Sequence, residues 1–379
     1  MGAGMRGRLT CPFCDYEREP GPQPVFCPSC GVPLRYERRL IGPTPLELEG
    51  RGVWRWRPFM PEVEPVSLGE GGTPLVPSLR LGEELGIGLK FKLEGINPTG
   101  SFKDRGASVL VSVLLALGAR KVADDSSGNA ASALAAYAAR AGLSAVLFVP
   151  AHASEKKLSQ IRAYGAELVE VPGPRPNATE AVKAACRKDP QLVYASHNES
   201  PYFEAGQRTI AYEIAEELSW EPPDHLVVPV GGGALFLGIV QGFLDLLGLG
   251  LIHRLPHVHA AQAAACAPIV RAFEQGLATP KPVAPGETVA EGVSIASPPR
   301  GREILAALRK TGGTAVAVAE EEILAAWERL PKEEGLYIEP TSAVAVAGVS
   351  ALVGRGVIRA GESVVIPLTG TGLKSAHLG

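Results

Sequence analysis

From residue 89 to residue 368 the chain alternates short apolar, β-branched runs with longer helical patterns, and this alternation limits its architecture more than any other feature. The strand-like runs are 89–94, 121–124, 145–150, 167–171, 192–196, 225–230, 258–262, 314–319 and 363–368. Most are separated by helical patterns, at 103–117, 129–141, 154–164, 178–187, 204–218, 234–247, 268–275, 320–330 and 341–353. Such alternation predicts an α/β fold of parallel strands joined by helical crossovers. Several runs are apolar almost throughout, as strands covered on both faces are. At 379 residues the chain has room for two domains, or for one large α/β domain with attachments.

The first forty residues stand outside this pattern. Cys11-Pro12-Phe13-Cys14 and Cys27-Pro28-Ser29-Cys30 form two CxxC knuckles separated by twelve residues. Four thiolates paired in this way suit tetrahedral zinc, and the neighbouring Pro and Gly allow the tight knuckle turns. A disulfide pair is the alternative, which a reducing cytosol disfavours. So short a segment has no core of its own, and a metal would supply its folding energy. Four Cys ligands leave no open position, so the role of such a zinc is structural or interactive. Cys186 and Cys266 are isolated in apolar surroundings and read as small core residues. A Trp-, Arg- and Pro-rich connector at 51–65 reads as an arm lying on the body or on a partner subunit.

Charge and hydropathy exclude several classes. With 37 Lys and Arg against 40 Asp and Glu, the net charge of −3 favours neither nucleic acid nor an anionic membrane surface. The apolar stretch 226–251 is broken by Gly, Pro, Gln and Asp, so no run is long enough to span a bilayer. The N-terminus lacks the apolar core of a signal peptide. A cytoplasmic enzyme acting on a small molecule is the expectation.

Three strand-to-helix joins carry the chemistry. In Asn97-Pro98-Thr99-Gly100-Ser101-Phe102-Lys103-Asp104-Arg105-Gly106 a lysine sits just after a Pro/Gly turn, where a strand gives way to a helix. Taken alone this is a helix-capping turn, with Ser101 as cap and Lys103 in solvent. Taken with the other joins, it is an amine that a partly apolar site would keep neutral and ready for imine formation. Ser126-Ser127-Gly128-Asn129 lies at a second join, where Ser and Asn also suit a helix N-cap. Gly231-Gly232-Gly233-Ala234-Leu235 follows the run 225–230 and opens a helix, so its N–H groups form a cup for phosphate at the positive helix end. At the close of the last strand, Thr369-Gly370-Thr371-Gly372-Leu373-Lys374 offers a hydroxyl. His253, His257 and His259 invite a metal reading, but no further ligand is spaced with them.

In this order the four motifs resemble the threonine synthase family of fold-type II pyridoxal-phosphate enzymes, related to the tryptophan synthase β-chain and threonine dehydratase. The resemblance spans about 68–374. It implies a fold of two open, twisted, parallel-type sheets covered by helices, preceded here by the zinc-ribbon-like segment 1–40. The large cofactor-binding domain would comprise 41–117 and 203–379, and the small domain 118–202. It implies pyridoxal phosphate bound as a Schiff base to Lys103, with Asn129 on its phenolic oxygen, residues 231–235 on its phosphate and Thr369 at its ring nitrogen. Ser126, Ser127, Gly128 and Ala130 would hold the substrate carboxylate. A homodimer is the family's expected assembly.

The implied activity is that of a lyase in threonine biosynthesis, converting O-phosphohomoserine and water to threonine and phosphate. Three departures bear on the substrate. Ala130 stands where many threonine synthases have Thr, Phe203 where many have an Arg, and Gly231-Gly232-Gly233-Ala234-Leu235 where many have Gly-Asn-Ala-Gly-Asn. Each removes a group that would hold a phosphate monoester, so β-elimination or β-replacement on another amino acid is the rival reading. A non-catalytic zinc-ribbon interaction protein is a second rival. Candidate replacement cations are Lys156, Lys157, Arg162 and Arg208. Because the cysteines lie outside the α/β pattern, removing residues 1–40 is expected to leave the cofactor's spectrum intact.

Overall fold

The structure is a computed structural model that describes residues 5–23, 25–38, 48–151, 153 and 155–374, without the side chains of Lys156 and Lys157. Along the chain the strands are β1 (Arg8–Thr10), β2 (Glu17–Arg18), β3 (Arg35–Glu37), β4 (Leu75–Pro77), β5 (Gly88–Leu93), β6 (Lys121–Asp124), β7 (Ser144–Pro150), β8 (Glu167–Val171), β9 (Leu192–Tyr194), β10 (His225–Pro229), β11 (His257–Ala263), β12 (Ala315–Val318) and β13 (Ser363–Leu368). The helices are α1 (Leu81–Leu85), α2 (Lys103–Ala116), α3 (Asn129–Ala141), α4 (Glu155–Ala163), α5 (Arg175–Lys188), α6 (Pro201–Gln207), α7 (Thr209–Glu217), α8 (Ala234–Gly248), α9 (Pro268–Glu274), α10 (Gly301–Lys310), α11 (Glu320–Glu334) and α12 (Pro340–Gly354). The expected α/β fold with two open sheets is found. The chain divides into two compact units, one of residues 1–72 and 97–207, the other of 73–96 and 208–379.

The first unit contains two sheets. Antiparallel β2-β1-β3 forms the Cys-bearing ribbon, whose knuckles are closed by Cys11 N–H to the Tyr16 carbonyl and Cys27 N–H to the Val32 carbonyl, both 2.9 Å. The parallel sheet runs β8-β7-β6-β9, and Ala123, Phe148, Ala178, Val182 and Leu192 pack on one another around it. Alanine-rich α3 needs little side-chain ordering to form and stops at Gly142, whose φ of 68° takes the left-handed cap at no steric cost. The connector after the ribbon lies on the body. Trp54 Nε1 donates to Ser108 Oγ at 2.7 Å, and the Val66 N–H donates to Ser112 Oγ at 2.7 Å, both hydroxyls being on α2.

The second unit is built on a six-stranded sheet, β12-β11-β10-β13-β5-β4. The first five strands are parallel and β4 joins the edge antiparallel to β5. All five residues of β10 are buried, His225 with its apolar successors 226–229. α11 and α12 pack on the sheet through Trp327, Ile323, Val344 and Val349. Glu334 at the end of α11 accepts the N–H groups of Leu79, Arg80 and Leu81 and so caps the start of α1.

Several helices differ from the sequence reading, among them the short α1, which had no counterpart there. The pattern at 204–218 resolves into α6 and α7, separate at Arg208 just after the helix-weak Gly206. α10 was not expected: it follows a Pro-Pro-Arg-Gly loop, yet Ile304, Leu305, Ala307 and Leu308 give it one buried face. For the pattern at 154–164, Ser154 lies outside the described residues and the helix observed is Glu155–Ala163.

Candidate active site

In the first unit the lysine turn is held by its own side chains. Gly100, at φ 89°, allows the tight turn closed by its N–H to the Asn97 carbonyl at 2.7 Å. Asp104 Oδ2 accepts the N–H and the hydroxyl of Thr99 at 3.1 and 3.0 Å. Ser101 does not cap the helix. Phe102 occupies the cap position without a side-chain bond, and Ser101 Oγ is buried without a protein partner among the described residues. Lys103 opens α2 half-buried, its Nζ 4.5 Å from the ring centre of Phe102 and 5.7 Å from that of Phe203. Two aromatic rings therefore lie near the amine. A Cβ on Gly106 would come within 2.6 Å of Gln207 Nε2 and 2.7 Å of the Phe203 ring, so glycine is what lets α6 lie this close to α2.

The Ser126–Asn129 turn joins β6 to α3 in the same unit. Gly128, not Ser or Asn, holds the cap position, its N–H donates to Ser126 Oγ at 3.2 Å, and Asn129 is the first helical residue. Ala130 is 3% exposed.

Beside this turn lies a polar cluster that the sequence reading missed. Asp124 ends β6, and its Oδ2 lies 2.9 Å from His197 Nδ1. Burial, then the charge of Asp125, pushes the Asp124 carboxyl well up. Burial, then the charges of Lys103 and Arg175, pushes His197 well down. Both shifts disfavour the charged forms, so burial favours a neutral pair joined by this hydrogen bond. Asp125 is anchored by the hydroxyls of Thr179 and Tyr194. The one signal available was an aspartate at a strand end just ahead of a candidate turn; His197 had no pattern to mark it.

In the second unit, 231–235 links β10 to α8. Gly233 caps the helix at φ 103°, where a Cβ would also meet the Ile304 side chain at 2.6 Å. A Cβ on Gly231 would meet the Gly292 carbonyl at 2.6 Å. The first turn of a helix leaves its leading N–H groups without intrahelical acceptors, so this cradle offers donors to an anion. Thr369, 1% exposed at the end of β13, donates its hydroxyl to Glu339 Oε1 at 2.7 Å and lies 2.9 Å from Ser342 Oγ. In a separate cluster His225 Nδ1 is 2.9 Å from His259 Nε2, and His225 Nε2 is 3.0 Å from Glu362. His259 Nδ1 accepts the Thr314 N–H, so this histidine is committed to hydrogen bonds.

Of the candidate cations, Arg162 is paired with Glu155, and Arg208, 3% exposed, is 3.3 Å from Asp245. The side chains of Lys156 and Lys157 lie outside the described residues.

In the ribbon the Sγ atoms of Cys11, Cys14, Cys27 and Cys30 all lie within 4.8 Å of one another. Burial would raise the Cys27 thiol, but the N–H groups of Cys30 and Ser29 and the thiols of Cys14 and Cys11 bring it to about 7. Four sulfurs at this spacing fit the tetrahedral arrangement of a thiolate zinc site. Cys266 is buried and Cys186 packs at the edge of the small-sheet core.

Among the described residues no helix is long and apolar enough to cross a membrane. Comparison with known proteins agrees with the architecture. Residues 66–370 match the family model described as pyridoxal-phosphate dependent enzyme. The chain is 39% identical to a threonine synthase of Methanosarcina acetivorans over 97% of this chain and 92% of that one. It is 39% identical to a threonine synthase of Methanocaldococcus jannaschii over 85% of this chain and 80% of that one. Among solved structures, a T.th. threonine deaminase superposes with a TM-score of 0.66 at 29% identity, covering 79% of this chain and 92% of that one. The processed threonine deaminase isoform 2 of Solanum lycopersicum gives 0.69 at 25% identity, covering 79% of each chain. The chain belongs to the pyridoxal-phosphate-dependent enzymes and, within them, to the threonine synthase family.

Proposed function

We propose that the protein is a threonine synthase, which converts O-phosphohomoserine and water to threonine and phosphate. The observation that carries this reading is the 39% identity to a threonine synthase over 97% of the chain, a span that takes in nearly all of it. The local geometry fits the cofactor: Gly231 and Gly233, where a side chain would clash with Gly292 and Ile304, hold the turn that opens α8, and the Lys103 amine lies near aromatic rings.

Pyridoxal phosphate, when bound, supplies a ring that stores the carbanion charge of the reaction. Lys103 is the amine that would attach it, and its Nζ would take and return protons at the substrate carbons. The N–H groups of 231–235 would hold the phosphate, Asn129 the phenolic oxygen, and Thr369 would lie at the ring nitrogen. Ser126, Ser127, Gly128 and Ala130 seat the substrate carboxylate. Cys11, Cys14, Cys27 and Cys30 hold a structural zinc. A cytoplasmic homodimer completes the reading.

A second reading, β-elimination or β-replacement on another amino acid, is favoured by one observation. The side chain beside Lys103 on α6 is Phe203, an aromatic ring where a phosphate monoester would call for a cation. Steady-state turnover of O-phosphohomoserine, serine, threonine and O-phosphoserine separates the two. Preference for O-phosphohomoserine upholds the synthase, and faster turnover of serine or threonine replaces it with the eliminase.

A further inference from the structure

The ribbon does not merely precede the body; it grips the helix that carries Phe203. Tyr202 Oη accepts a hydrogen bond from the Gly21 N–H at 2.8 Å and donates one to the Gly21 carbonyl at 2.9 Å. Tyr202 is 1% exposed, and its ring centre lies 6.1 Å from that of Tyr36 on β3. Pro22, Gln23 and Val25 of the ribbon line a small cavity together with Leu110 and Leu114 of α2, which marks where the ribbon rests on that helix. The next residue along α6 is Phe203, whose ring lies 5.7 Å from Lys103 Nζ. Every residue of α6 is buried.

We infer that Tyr202 is a positioning residue for the lysine: the ribbon fixes α6 through Tyr202, and α6 in turn fixes the Phe203 ring against the Lys103 amine. A seven-residue helix is too short to stand by its own hydrogen bonds, so its placement is set by what packs on it. Gly106 and Gly206 remove the side chains that would separate α2 from α6, which makes the contact close enough to pass a displacement on. Phe203 keeps water from one side of the amine, and a shifted ring changes how readily that amine carries a proton. The ribbon therefore reaches the chemistry through two consecutive residues, contrary to the expectation that it can be removed without effect on the cofactor. The inference rests on Lys103 as the cofactor's lysine.

Tyr202→Phe tests it, because this change keeps the ring and removes both hydrogen bonds to Gly21. In the full-chain holoenzyme the visible cofactor band is expected to titrate about half a pH unit or more away from the wild type, a change in the amine's surroundings of the size neighbouring groups produce. Tyr36→Phe keeps the ring and removes the bond from Tyr36 Oη to the Arg6 carbonyl within the ribbon, and is expected to leave the titration in place. A Tyr202→Phe protein with native circular dichroism and a wild-type titration overturns the inference. Borohydride reduction of Lys103→Ala is the separate control: a labelled lysine in that variant would overturn the assignment of Lys103, whatever Tyr202 does. Should Tyr202→Phe fail to fold, hydrogen exchange of the wild type in sub-denaturing urea decides. Amides of 21–36, 103–106 and 201–207 opening as one unit uphold the inference. Ribbon amides that open first, with 103–106 and 201–207 still protected, overturn it.

Discussion

Asp124 Oδ2 and His197 Nδ1 face each other at 2.9 Å, with 1% and 8% of their side chains exposed. Asp125, Glu199, Lys103 and Arg175 are the charges around them. With the Asp124 carboxyl held up and the His197 imidazole held down, the folded pair keeps one proton over a wide pH range. In the unfolded chain Asp ionises near about 3.9 and His near about 6.5. Between those values the unfolded pair also binds one proton, so the pair gives no slope there. Above about 6.5 the unfolded pair binds none, so wherever the folded Asp124 still holds its raised proton, stability falls as pH rises. Below about 3.9 it binds two, and stability falls as pH drops. Urea midpoints from pH 6.5 upward are expected to decline in the wild type by at most about 1.4 kcal/mol per pH unit from this source, and less steeply in Asp124→Asn. Equal slopes would sink the assignment of a neutral pair.

Lys103→Ala is expected to abolish the borohydride-reducible adduct and turnover together. The aromatic rings near the amine and its place at the head of α2 motivate this. Mass spectrometry of the reduced, digested protein checks it: a pyridoxyl-lysine at any other position of the variant counts against Lys103.

One zinc per chain is expected, held by the four clustered thiols. Thiols raised in the metal-free state, Cys11 by burial and Cys30 to about 12 chiefly by its bond with Cys14, must lose protons to bind it. Metal-free protein should therefore acidify a weakly buffered solution as zinc is added. Elemental analysis of protein purified without chelator showing no zinc would refute the site.

If the substrate is a phosphate monoester, a cation outside α6 must meet it. Arg162 and Lys157 on α4 are the preferred candidates; Arg162 is at present engaged by Glu155. Replacement of the binding cation by Ala is expected to raise KM for O-phosphohomoserine about tenfold or more while leaving the cofactor band unchanged, as loss of one charge-assisted contact does. If neither replacement raises KM, the phosphate contact lies elsewhere.

Gly106→Ala is expected to destabilise the protein by about 1–3 kcal/mol, because the new methyl group meets the buried Gln207 and Phe203 side chains rather than solvent. Thermal unfolding monitored by circular dichroism measures it. An unchanged midpoint would mean that α6 can retreat.

The regular strands were legible because burial on both faces leaves a plain mark: β10 and β13 are apolar runs, and both lie inside the larger sheet. The Cys spacing was legible for a similar reason, since one sphere of ligands dictates it. What escaped reading depends on residues far apart in the chain. The Asp124–His197 pair spans 73 positions and the Thr369–Glu339 bond spans 30, and no local pattern records either. α10 was hidden because its four buried apolar residues follow a Pro-Pro loop that reads as irregular. Gly106 read as part of the lysine turn, and only α6 packed against it shows why a side chain is excluded there.

β13 lies between β10 and β5, so the last strand among the described residues fills the middle of the larger sheet. During synthesis the β8-β7-β6-β9 sheet has all its strands once residue 194 has emerged. The six-stranded sheet remains split, with β5 and β10 each presenting an unpaired edge, until 363–368 leave the ribosome. Unpaired edges recruit other strands. A nascent chain stalled late in translation is thus the most aggregation-prone form of this protein, and loss of only the segment from 363 onward would remove the sheet's central strand rather than trim its end.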